Sequence, residues 1–237
     1  MAESIRDTIV QYPSGNVTVR AYVAAPQIRE RRPTVIVIQE WWGLNDHVKD
    51  IAKRFAAEGY VAIAPDLYSR LQNEVVPLTN PNRAGELMGA LKQEEGLNDL
   101  NATVAYLKTV PEVDPARIGV IGFCMGGSYA LMLPCVNGDI KAAVPFYGQV
   151  PNPDSPLQQL SAPVLYIYGE DDGWITKADV QRLAVALKKY NKPGEIKTYP
   201  GAPHAFFNDL RKEVHRPAEA KDAWARTLAF FQQHLRG

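Results

Sequence analysis

Cys124 stands at the centre of Gly122-Phe123-Cys124-Met125-Gly126-Gly127, a thiol in a G-x-nucleophile-x-G turn. Residues 117–122 before it are apolar and β-branched enough for a buried strand, and residues 126–135 after it can begin a helix. Small residues two before and two after the nucleophile let the backbone turn sharply, so the side chain is presented at a helix N-terminus, whose positive end favours thiolate over thiol. Alone, such a cysteine reads equally well as filler in a glycine-rich turn. His204 separates the two readings, because it sits in the Pro/Gly-rich loop Tyr199-Pro200-Gly201-Ala202-Pro203-His204-Ala205-Phe206 after a strand, a setting suited to a general base. His47, His215 and His234 fall in charged helical stretches and read as solvated surface. An acid to orient the base comes from Tyr168-Gly169-Glu170-Asp171-Asp172: Asp172 stands three residues beyond the glycine that ends an apolar strand. Asp171 is the alternative, its bland role being a loop or cap carboxylate. Nucleophile, base and acid are what acyl transfer through a covalent intermediate requires.

These residues need a scaffold that brings strand ends together. Residues 33–38 form a continuous apolar run, which suits a parallel strand buried on both faces, and Glu40 follows at its carboxyl end. Ligands of open α/β sheets bind at the carboxyl ends of strands, so Glu40, Cys124, Asp172 and His204 are expected on one rim. Alternation at 5–12 and 16–24 around Pro13-Ser14-Gly15 predicts an opening hairpin. A strand at 33–39, a helix at 46–58, a strand at 61–65 and a helical region at 83–109 broken near Gly96 come next. The elbow strand and helix follow, then strands at 140–146 and 163–169, a helix at 177–190, a strand at 195–199 and a last helix at 217–235. That alternation predicts an α/β fold with a mostly parallel sheet and helices on both faces, as one domain over residues 1–237. The stretches 72–82 and 150–157 read as surface loops.

The order nucleophile, acid, histidine is that of α/β-hydrolases. With Gln39-Glu40-Trp41-Trp42-Gly43-Leu44, Ala64-Pro65-Asp66-Leu67-Tyr68, the cysteine elbow, Phe146-Tyr147-Gly148 and the histidine loop, the chain resembles the dienelactone hydrolase family of α/β-hydrolases along nearly its whole length. The resemblance implies an ester or lactone hydrolase with Cys124 as nucleophile, His204 as base, Asp172 as orienting acid and Glu40 as a carboxylate close to the thiol. It also implies an oxyanion hole from the backbone N–H groups of Trp41 and Met125. Members specific for dienelactones use two arginines for the substrate carboxylate; Arg83 or Arg70 suits the first, but Asn208 stands at the second. An amide does not reproduce bidentate arginine recognition, so neutral esters and lactones are expected over dienelactone turnover proper. Tyr147, Phe206, Phe207 and the tryptophans would favour an apolar or aromatic group, or serve as packing.

Composition narrows the remaining classes. Lysine plus arginine equals aspartate plus glutamate at 26 each, giving no basic field for nucleic acid. No apolar run is long enough for a membrane span, and the N-terminal stretch has no secretory core, so a cytoplasmic enzyme acting on a small molecule, as a monomer or small homo-oligomer, is expected. No metal-ligand spacing occurs and no cofactor is expected. A redox sensor would need a resolving thiol, but Cys135 would sit roughly 16 Å along the helix from Cys124 at about 1.5 Å per residue.

Overall fold

The computed structural model describes residues 4–27 and 30–237; Met1 to Glu3, the start of the stretch read for a leader, lie outside it. Period-two alternation yields β1 (Ile5–Ser14) and β2 (Val17–Pro26), antiparallel from Ile5 opposite Pro26 to Ser14 opposite Val17. Gly15, at φ +60°, supplies the left-handed residue of the tight turn between them.

The chain divides into two compact units, Met1–Gly119 and Val120–Gly237. In the first, β3 (Arg32–Ile38) pairs parallel with β4 (Val61–Pro65), which pairs antiparallel with β2, in the order β1-β2-β4-β3. Every residue of β4 and all but the first of β3 is buried, as continuous apolar runs require. Helix α1 (Asp46–Ala57) starts where the Asn45 side chain accepts from the Val48 N–H at 3.2 Å. Its buried face is His47, Val48, Ile51, Ala52, Phe55 and Ala56. His47 is therefore core rather than surface, because helical period places it one turn before Ile51.

The expected helical region is two helices, α2 (Pro81–Ala90) and α3 (Gln93–Leu107). The break falls at Leu91, which turns extended and buries its side chain, and not at Gly96, which stays helical and buried within α3. Tertiary packing there outweighs the roughly 1 kcal/mol disadvantage of a helical glycine.

Strand β5 (Val113–Phe123) runs along the chain into the second unit, which continues with α4 (Met125–Val136), β6 (Ile140–Phe146), β7 (Val164–Asp171), α5 (Lys177–Lys189), β8 (Gly194–Pro203) and α6 (Pro217–Leu235). The order is β5-β6-β7-β8, and β6, β7 and β8 pair parallel. α4 packs on β6, and α6 on β6 and β7. The Pro200–Pro203 segment, expected as loop, remains in β8 through a bulge: the two steps from Gly169 to Asp171 face four from Tyr199 to Pro203. Gly201, at φ +72°, carries that excess. His215 lies half-buried in the loop before α6 rather than in a helix, and His234 is half-buried on α6, edge-on to Phe230 at 4.5 Å. Among the described residues no helix is long and apolar enough to cross a membrane.

Candidate active site

Cys124 is the single residue between the end of β5 and the start of α4, and its backbone stands at φ +56°, ψ −119°. A side chain held there costs about 1–3 kcal/mol and persists only where its surroundings over-determine it. They do. A Cβ added to Gly122 would collide with the Gly126 carbonyl, one on Gly127 with the Phe146 carbonyl, and one on Gly148 with the Gly127 backbone. The Cys124 N–H donates to Phe146 O at 3.1 Å, and its carbonyl accepts from the Ser128 N–H at 3.2 Å, fastening the elbow to β6 and to the first turn of α4. The thiol is thus presented at the positive end of α4, with Met125 as the first helical residue. Cys135 lies near the other end of the helix, its Sγ 3.5 Å from Leu131 O, and burial pushes its thiol up to about 12.

Asp172 follows β7 and His204 follows β8, so parallel pairing sets both at the same strand ends. The bulge in β8 brings Pro203, and with it His204, level with Asp171. Asp172 Oδ2 lies 2.7 Å from His204 Nδ1, while Oδ1 accepts from the Trp174 N–H at 2.7 Å and the Ile175 N–H at 2.8 Å. The carboxylate is fully buried and saturated on both oxygens. Asp171 is exposed and is the last residue of β7, neither in a loop nor at a helix cap. Burial pulls the His204 imidazole down, but the hydrogen bond to Asp172 and the adjacent Cys124 thiol outweigh it and carry the ring up to about 10. Its Nε2 is buried without a hydrogen-bond partner, and the Cys124 thiol is close enough to raise the ring. This arrangement can hold a proton beside a nucleophile and hand it on.

The imidazole touches two aromatic rings, Tyr147 at 5.0 Å and Trp174 at 5.2 Å between centroids. Tyr147 and Ala205 both take positive φ, +39° and +62°, so backbone strain clusters around the histidine. Tyr147, Phe206 and Asn208, expected to line the substrate site, expose no surface at all. They shape it from behind: Phe206 packs between Tyr147 and Tyr199, and Asn208 Oδ1 accepts from the Leu210 N–H at 3.1 Å, closing the turn after the histidine. The place of Trp174 beside both acid and base was not read from the sequence. Its signal was an aromatic residue two positions after the acid, in the turn whose amides a carboxylate collects.

In the first unit, Glu40 is buried just beyond β3 and its carbonyl accepts from the Gly43 N–H at 3.4 Å. Trp41 is half-buried, its carbonyl accepting from Tyr68 Oη at 2.9 Å and its ring edge-on to Trp42 at 5.1 Å. Gly43, at φ +90°, lets the 72–80 loop close in, since a Cβ would lie 2.5 Å from Glu74 O. Both candidate arginines already hold carboxylates. Arg83 grips Glu74 with two nitrogens at 2.9 and 2.7 Å and Glu86 with the third at 2.8 Å. Arg70 grips buried Asp99 at 2.8 and 2.7 Å and borders a cavity of about 690 Å³ at the hairpin turn, lined by none of the candidate catalytic residues. Among the described residues no cluster of three or more His, Cys, Asp or Glu is arranged to hold a metal ion.

Residues 19–235 match the model of the dienelactone hydrolase family. A Synechocystis protein, provisionally named carboxymethylenebutenolidase, is 36% identical over 248 residues, covering 100% of both chains. A crystal structure provisionally titled dienelactone hydrolase, from Klebsiella pneumoniae, superposes with a TM-score of 0.89 at 33% identity over 98% of this chain and 100% of its own. MGS-M1, an alpha/beta hydrolase from a deep-sea metagenome, shares the fold at 17% identity with a TM-score of 0.71, over 98% of this chain and 100% of its own. The fold is accordingly of the α/β-hydrolase type, with a mostly parallel eight-stranded sheet.

Proposed function

Since the chain belongs to the dienelactone hydrolase family and is an ester or lactone hydrolase, we propose that it cleaves these bonds with a Cys124-His204-Asp172 triad through a thioester. The observation that carries this reading is the strained Cys124 elbow beside an imidazole whose Nδ1 is held at 2.7 Å by a buried carboxylate. Thiolate attacks the acyl carbon, and the oxyanion forms against the backbone N–H groups of Met125 and Trp41. As the C–O bond breaks, the leaving alkoxide takes the His204 proton. Acylation removes the negative sulfur that raises His204, so the ring's pKa falls and it becomes a base. It then takes a proton from water, hydroxide attacks the thioester, the C–S bond breaks, and thiolate and imidazolium are restored.

Glu40, by the family likeness, is the carboxylate near the thiol. A cytoplasmic site of action suits a nucleophile that must stay reduced. For the substrate we infer a neutral ester or lactone, because Arg83 and Arg70 are already committed to carboxylates. The provisional name of the Synechocystis relative favours the second reading, an anionic butenolide. Activated esters assayed before and after thiol alkylation test the mechanism: one equivalent should abolish turnover, and an alkylated enzyme with full activity would overturn it.

A further inference from the structure

His204 meets Trp174 at a centroid distance of 5.2 Å and an interplanar angle of 87°, and the same residue's amide donates to Asp172 Oδ1 at 2.7 Å. One residue therefore touches the base through its ring and the acid through its backbone. Building on the triad reading, we propose that Trp174 is a positioning residue, whose indole holds His204 as imidazolium against the Cys124 thiolate and whose amide fixes the Asp172 carboxylate that aligns the ring.

A cation over the face of an indole and within about 6 Å of its centre is attracted by the ring's quadrupole, most strongly in a desolvated site. A perpendicular contact at 5.2 Å allows the imidazole to set its edge on that face, and the proposal takes this arrangement. The His204 side chain is 22% exposed and its acid fully buried, so little water competes with the indole. The groups acting on the imidazole are Asp172 from the loop after β7 and Cys124 from the head of α4, with the Tyr147 ring beside them after β6. Asp172 contributes charge and Cys124 contributes charge only while ionised. Trp174 contributes an attraction that depends on the charge of the ring and not on that of the sulfur, so it favours imidazolium before acylation and again as His204 takes the proton from water. It also fixes geometry from the acid's far side: with Oδ1 held by the Trp174 and Ile175 amides, Oδ2 is left to face Nδ1.

The test is an NMR titration of the His204 imidazole, read independently of turnover. Trp174→Leu, which keeps bulk without a π face, should lower the midpoint by about one pH unit, tenfold in proton affinity. Trp174→Phe should lower it by less than half as much. Because either replacement could disturb the turn, tryptophan with one to four ring fluorines, introduced at position 174 alone, keeps the shape and weakens the quadrupole stepwise. The midpoint should fall with each fluorine. An unmoved midpoint across the fluorinated series, or equal shifts in the Phe and Leu variants, would overturn the proposal and leave Trp174 as a wall. Full hydrolytic activity in Cys124→Ala is the distinct result that would instead overturn the triad.

Discussion

Asp172 divides its carboxylate between a base and a turn, with Oδ2 at 2.7 Å from His204 Nδ1 and Oδ1 accepting from two backbone amides. A carboxylate so held cannot swing away, and only a carboxylate both accepts from Nδ1 and stabilises the charged ring. Asp172→Asn should therefore lower kcat by about ten-thousandfold, as amidation of a triad acid does in a serine protease. Exposed Asp171→Asn should change it less than threefold. Steady-state kinetics on one activated ester decide the ranking, and its reversal would move the acid by one residue.

The two halves of the reaction should carry different pH dependences. With thiolate present, His204 is raised to about 10, so at neutral pH it is protonated and ready to act as an acid. Once Cys124 is acylated that charge is gone, and the ring must lose its proton to act as a base. Deacylation should then fall as pH drops through a midpoint well below 10, while the acylation burst persists on the acid side of it. Stopped-flow release of an aryl leaving group between pH 5 and about pH 10 separates the phases; one shared midpoint would contradict the switch.

Alkylation should discriminate between the two thiols. Burial lifts Cys135 to about 12, so at neutral pH it is almost wholly protonated, whereas Cys124 sits beside a cation at a helix N-terminus. Iodoacetamide at pH 7 should label Cys124 with a stoichiometry of one, and Cys135→Ala should leave rate and activity unchanged.

The elbow glycines should be intolerant of a single methyl group. Gly127→Ala would press a Cβ into the Phe146 carbonyl, where backbone must shift, and should destabilise by about 1–3 kcal/mol while activity is lost. Gly138→Ala, with nothing within 4 Å, is the control and should stay within about 0.5 kcal/mol. Urea unfolding midpoints of the two variants measure the difference.

Much of this architecture was legible because apolar runs and punctuation coincide. β4, β6 and α6 begin and end at the residues read from sequence, each bounded by a turn or a proline. The Cys124 and Asp172 motifs were legible for a related reason, each standing at the end of an apolar strand, whereas His204 was read from its Pro/Gly-rich setting, β8 ending four residues later than expected. What escaped depends on contacts distant in sequence. His47 looked solvated because its neighbours are charged, yet helical phase turns it inward. The α2–α3 break is set by burial of Leu91 rather than by the flexibility of Gly96, and the β8 bulge by a register that only its pairing with β7 defines. Asn208 was read from its place in the family pattern as a substrate contact, and the turn that buries it could not be seen from that place.

Substrate charge should follow from the occupied arginines. With Arg83 held by Glu74 and Glu86 and Arg70 by Asp99, neutral lactones should be hydrolysed with kcat/KM at least equal to that of carboxylate-bearing lactones of the same ring. Arg83→Gln should leave the ratio unchanged. A strong, salt-sensitive preference for the anion would show that a cation completes a carboxylate clamp.

Trapping the covalent intermediate tests the central claim most directly. Enzyme quenched in acid during the burst with a slowly deacylating aryl ester should carry one acyl group, located by peptide mass spectrometry on Cys124 and absent from Cys124→Ala, which should be inactive. An acyl group on another residue, or an unlabelled Cys124→Ala enzyme that turns over at the unmodified rate, would contradict the account.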